Sequence, residues 1–178
     1  MKRCAIAVIL GAVVVVAMAQ AESPYVGDES RPIKALSQQE LDGYLQGRGL
    51  GYAKAAELNH YPGPRHVLEL AAELELTPVQ VSRTQEIYAT MQTQAVTLGK
   101  KLVEQEQALD RAFADGAIDT ESLHALVSDL GALEAQIRYT HLVAHLEQKA
   151  VLSNHQVQRY DRLRGYGAGQ SHQHDHAH

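Results

Sequence analysis

The sequence predicts an all-α protein: a long antiparallel helical hairpin with shorter flanking helices. Three observations carry that expectation. Among 178 residues there is one Phe and no Trp, too few aromatic side chains for a β-sandwich or barrel. Two long stretches repeat apolar residues at three-four spacing and are separated only by Asp115-Gly116-Ala117-Ile118-Asp119. Boxes of the form Ser/Thr-x-x-Glu/Gln open three segments, at Ser37 and Glu40, Thr77 and Gln80, and Ser153 and Gln156.

Residues 1–21 read as a secretory signal peptide. Lys2 and Arg3 give a positive start, Ala5 to Ala19 an apolar run, and Ala19-Gln20-Ala21 a small-x-small cleavage site before Glu22. The run is shorter than the roughly 20 apolar residues of a membrane span. Cys4 stands at the wrong end of it for a lipoprotein cysteine. The expected location is therefore the periplasm. Cleavage would remove the one cysteine, and with it disulfide and thiolate chemistry. It would also move the formal charge from −5 to −7 by loss of Lys2 and Arg3. So acidic a chain is a poor general partner for nucleic acid. All ten histidines would remain.

Residues 22–35, with Pro24, Gly27, Asp28 and Pro32, read as an extended, flexible arm. The helical part is expected over 36–165. Ser37 caps a first helix carrying Leu41, Tyr44 and Leu45. Gly43, Gly47, Gly49 and Gly51 each cost about 1 kcal/mol against Ala, so a broken or bent helix is expected to about Leu58. Tyr61-Pro62-Gly63-Pro64 is a turn, and Pro64 opens a helix with Val67, Leu68, Ala71 and Leu74 on one stripe, ending near Leu76. Thr77, with Pro78 at the first helical position, then starts a helix of about 36 residues, roughly 55 Å long. Its seam is Val81, Tyr88, Met91, Ala95, Leu98, Leu102 and Leu109, with Thr84 and Gln105 at the polar positions. So long a helix needs a partner along it. After the Gly116 stop, Leu123, Leu126, Leu130, Leu133, Ile137 and Ala144 supply the matching seam, and the short connection makes the pair antiparallel. Leu142 and Leu146 add a second stripe, which a neighbouring helix or second subunit would cover. A last short helix carries Val157, Tyr160 and Leu163. Residues 166–178 read as a disordered tail.

Two boxes are near-copies: Leu76-Thr77-Pro78-Val79-Gln80 and Leu152-Ser153-Asn154-His155-Gln156. A secreted helical hairpin bracketed by such boxes resembles the LTxxQ-motif periplasmic family, which holds the Spy/CpxP-like chaperones, the zinc-resistance-associated proteins and the periplasmic heavy-metal sensors. The resemblance covers about Leu36 to Gly165 and includes Gly47-Arg48-Gly49-Leu50-Gly51-Tyr52. It implies a four-helix hook, paired into a homodimer with a concave face. It also implies ATP-independent binding of unfolded periplasmic clients, or metal-dependent signalling to a membrane stress protein. The chain departs from the pattern in its acidity, where Spy-like cradles are basic, although Arg83, Lys100, Lys101, Arg111 and Arg138 are candidate cradle charges. It departs again at Ser153 and Asn154, where Thr and Pro are typical.

The candidate chemistry is metal binding. His172, His174, His176 and His178, with Asp175 among them, are ligand types for zinc, nickel or copper. His141 and His145, four apart, place two imidazoles on one helix face, about 6 Å apart at Cβ. The pair resembles the His-x-x-x-Met pair of cobalt-nickel sensors, with His145 at the Met position. Its bland alternative is two partly exposed histidines beside the seam, hydrogen-bonded to neighbours. A full site needs one or two more ligands, for which Glu57, His60, His66 and Glu69 are candidates. His124 and His155 read as surface residues, and Tyr88 and Met91 as core. The Gly47-Gly49-Gly51 spacing fits no phosphate-binding loop, and Glu104 and Glu106 read as a solvated face. No catalytic grouping and no organic cofactor are expected.

Overall fold

Side-chain caps set the starts of the helices that begin at Gln38, Pro78, Thr120 and Asn154, whereas those that begin at Lys54 and Pro64 have no side-chain cap. A computed structural model of the chain describes residues 23–166. The expected signal peptide and the histidines beyond Ser171 lie outside the described residues. Within these the protein is all-α, with no strand. Helix α1 spans Gln38–Leu45, α2 Lys54–Glu57, α3 Pro64–Glu69, α4 Pro78–Ala114, α5 Thr120–Val151 and α6 Asn154–Leu163. All three expected boxes form, each N-cap side chain accepting from the N3 backbone N–H and each N3 side chain from the N-cap N–H. A fourth, Asp119 with Ser122, opens α5.

The glycine-rich region takes the broken form of the expected helix, two short helices, because Gly47 and Gly51 take positive φ and turn the chain between them. Two stretches differ from expectation. Helix α3 stops at Glu69, and turns carry the chain to Thr77. The segment before Ser37 is tied down. It contains a 3-10 turn at Asp28–Ser30, buries Ile33 and sets Lys34 Nζ 3.0 Å from Asp110 on α4.

The two long helices lie against each other. Ile87 and Met91 cluster with Ala144, and Leu102 with Leu130 and Ile137. Early α4 residues thus meet late α5 residues. The seam is shifted slightly from the one read by spacing: Ile87 is buried, whereas Tyr88 and Leu98 are only half-buried. Inside it, buried Gln148 donates from Nε2 to Thr84 Oγ1 at 3.1 Å. Helix α1 crosses α4 at Gly99, where an added Cβ would lie 2.8 Å from the Tyr44 carbonyl carbon.

A second core closes the other end. Val67 and Leu74 meet Leu152, Val157 and Tyr160, each contributing roughly 1.5–3 kcal/mol on burial. Over this core the near-copied boxes clasp one another. Gln80 Nε2 donates to Gln156 Oε1 at 2.9 Å, and Gln156 Nε2 donates back to Gln80 Oε1 at 3.1 Å. The same amides donate to the carbonyls of Val151 and Leu74. Their oxygens also accept from the Thr77 and Ser153 backbone N–H groups. Both side chains have every donor and acceptor engaged.

Candidate functional site: a histidine cleft between the long helices and the α2–α3 turn

The short helices fold over the middle of the long pair and leave a cleft of about 610 Å³. Its walls come from the 46–54 loop, the Gly63–His66 turn, Met91 and Tyr88 of α4, His141 and His145 of α5, and Arg164 at the end of α6. Helical spacing places His141 and His145 one turn apart on the α5 face that looks under the loop.

Both rings are buried, at 4% and 7% exposure, and so differ from the partly exposed histidines of the bland reading. Burial, and secondarily the neighbouring His145, hold the His141 imidazole below the usual histidine range. It is therefore a neutral ring near neutral pH, and its Nε2 is buried with no hydrogen-bond partner. His145 is oriented from outside. Its Nδ1 lies 2.7 Å from the Tyr61 carbonyl oxygen. A carbonyl can only accept, so in the neutral ring Nδ1 carries the proton and Nε2 keeps a lone pair. Gly63 makes room for that edge: a Cβ there would sit 3.1 Å from Nε2.

Glu57 is the third member. One carboxylate oxygen, Oε1, accepts from Tyr160 at 2.6 Å and Tyr166 at 2.8 Å, and Arg164 Nε is 3.4 Å away. The other, Oε2, lies 3.7 Å from His145 Nδ1 and is buried without a hydrogen-bond partner. Desolvation and the bond to Glu57 raise Tyr160's pKa, so it stays a donor.

Of the other candidates, His66 lines the cleft but bonds to Glu69 at 2.8 Å. His60 points to Asp161, also at 2.8 Å. His124 and His155 are exposed. Met91 and Tyr88 serve twice, in or beside the seam and as cleft wall, a dual role that periodicity does not reveal. Glu106 is half-buried, and desolvation together with Glu134 raises its pKa. His172, His174, His176 and His178 lie outside the described residues. Among the described residues no three His, Cys, Asp or Glu side chains form a ready metal-holding group.

Two imidazoles on one helix face suit a borderline divalent ion, and the partnerless atoms His141 Nε2 and Glu57 Oε2 are the kind of buried polar group that a ligand satisfies. The fit is to part of a coordination sphere: two rings, and a carboxylate one hydrogen-bond network away. No protein-family model, curated protein or solved structure matches the chain.

Proposed function

We propose that the protein is a periplasmic metal-stress protein of the LTxxQ type, a dimeric helical hairpin whose histidine cleft is its metal-responsive site. The observation that carries this reading is the pair of buried imidazoles, His141 and His145, with partnerless polar atoms beside them. Zinc, nickel, copper or cobalt are the ions such donors suit. In this reading the Tyr61 carbonyl orients His145, and the Tyr160–Tyr166–Arg164 cluster holds Glu57 against the ring. A bound ion would act as a Lewis-acidic cross-link between α5 and the α2–α3 turn. Ligation would stabilise the docked turn by linkage, about 2.7 kcal/mol at an ion concentration one hundred times Kd.

The expected result is a rise in melting temperature of the mature chain with zinc or nickel, lost in His141→Gln/His145→Gln. An unchanged melting temperature at millimolar metal would sink the reading.

A second reading, ATP-independent holding of unfolded clients, rests on a different surface. Thr93, Thr97 and Leu98 of α4 and Ala135 and Tyr139 of α5 line a largely apolar groove, and Tyr139 is 70% exposed. A few-fold excess of the mature protein should suppress aggregation of a reduced model substrate, and Tyr139→Ser should weaken the effect. No suppression at any ratio excludes the chaperone activity and leaves the metal reading in place.

A further inference from the structure

We propose that the cleft takes its metal as an anionic chelate: His141 and His145 bind a divalent ion already held by a small polycarboxylate, and the cationic rim binds the carboxylates. This rests on the metal reading of the cleft and names its ligand. Three observations lead there.

The first is charge. Arg48, Lys54, Arg65 and Arg164 line the cleft, against the single carboxylate Glu57. Arg65 and Arg164 face Glu69 and Glu57, at 2.9 and 3.4 Å. The other two have no such partner. Arg48 donates from Nε and Nη2 to the neutral amide oxygen of Gln46, at 3.1 and 2.6 Å. Lys54 forms no ion pair among the described residues. Two positive charges left over repel a bare divalent cation and attract an anion, and the walls of a cleft focus that field.

The second is how the donors are sorted by depth. His141 and His145 are buried, whereas Arg48 and Lys54 are exposed side chains of the 46–54 loop. A ligand matched to this arrangement turns a Lewis-acidic centre inward and negative charge outward. A metal polycarboxylate has that polarity, and a guanidinium beside an ammonium suits its outer carboxylates.

The third is donor count and room. A borderline divalent ion takes at least four donors, and the described residues bring no three candidate ligands together. The two rings leave the other positions open to an outside chelator. The cleft, at about 610 Å³, is far larger than a single ion needs and falls in the range of small-molecule sites.

The test is thermal unfolding of the mature chain at a fixed total concentration of cobalt, while citrate is raised past one equivalent. Citrate lowers the free ion throughout, so the bare ion and the chelate predict opposite signs. For the chelate, the rise in melting temperature should grow with citrate and then level off, and citrate alone should cause none. Cobalt citrate should also broaden the amide resonances of Gly49 and Gly63, which lie against the two rings. Calorimetry should show cobalt citrate binding about tenfold more weakly to Lys54→Gln. In Arg48→Glu/Lys54→Glu the sign should reverse, so that citrate removes the effect of cobalt.

A rise with cobalt that citrate cancels in wild type would overturn the proposal and leave the cleft a site for the bare ion. A larger rise in cobalt citrate with Gly49 and Gly63 sharp would put the chelate elsewhere, and overturn it as well. A rise with citrate that cobalt does not enlarge would make the cleft a plain anion site. That outcome, or no rise under any of these conditions, would defeat the proposal and the metal reading together.

Discussion

Gly99→Ala is expected to lower the free energy of unfolding by about 2 kcal/mol, the reverse of what the same change does in an ordinary helix. Glycine inside a helix costs roughly 0.5–1 kcal/mol against alanine, so on propensity alone the change should stabilise α4. Gly99, however, is where α1 lies across α4. A Cβ there would run into the Tyr44 carbonyl oxygen, with the carbonyl carbon at 2.8 Å. That obstacle is backbone, so no rotamer change relieves it. Either α1 lifts or the helix bends, and overpacking of this kind costs about 1–3 kcal/mol. Gly131 on α5 is the internal control, since a Cβ there meets nothing within 4 Å. Gly131→Ala should stabilise by about 0.5–1 kcal/mol. Urea unfolding of both variants measures the contrast. Stabilisation of similar size at both positions would mean that α1 does not rest on Gly99.

The second large effect is expected at the clasp. Gln80→Glu keeps an acceptor for the Thr77 N–H and, by the capping rule alone, should be harmless. It is expected to destabilise by about 3 kcal/mol. The substitution removes the amide N–H₂ that serves both Gln156 Oε1 and the Val151 carbonyl. It also places a charge among part-buried acceptors. Gln156→Glu should cost a similar amount for the mirror-image reason, through the Leu74 carbonyl. The two alanine substitutions, Gln80→Ala and Gln156→Ala, should be strongly non-additive, because either one already breaks the shared pair. Additive alanine effects in denaturant unfolding would show that the boxes act separately.

The box at Ser37 makes the comparison instructive. Its N3 residue is Glu40, whose carboxylate accepts from the Ser37 backbone and hydroxyl at 2.9 and 2.6 Å. Those bonds hold its pKa below the ordinary glutamate value. There a carboxylate suffices, because its hydrogen bonds run only to its own N-cap. At 80 and 156 the cap residue must also donate, and only the amide can.

By itself the sequence determined the local structure: the all-α class, the starts of α1, α4 and α6 at Ser37, Thr77 and Ser153, and the Gly116 stop. Capping and apolar periodicity act over a few residues, so they are written in the order of the chain. The i, i+4 placement of His141 and His145 was legible for the same reason. Tertiary structure decided what those pieces meet. Spacing did not show that both rings are buried, that the Tyr61 carbonyl fixes the tautomer of His145, or that Glu57 is held by Tyr160 and Tyr166 from more than 100 positions away. Nor did it show that two capping glutamines would bond to each other across 76 residues. Burial, tautomer and the choice of Gln over Glu depend on groups brought together only when the short helices close over the long pair, and no local pattern encodes that closure.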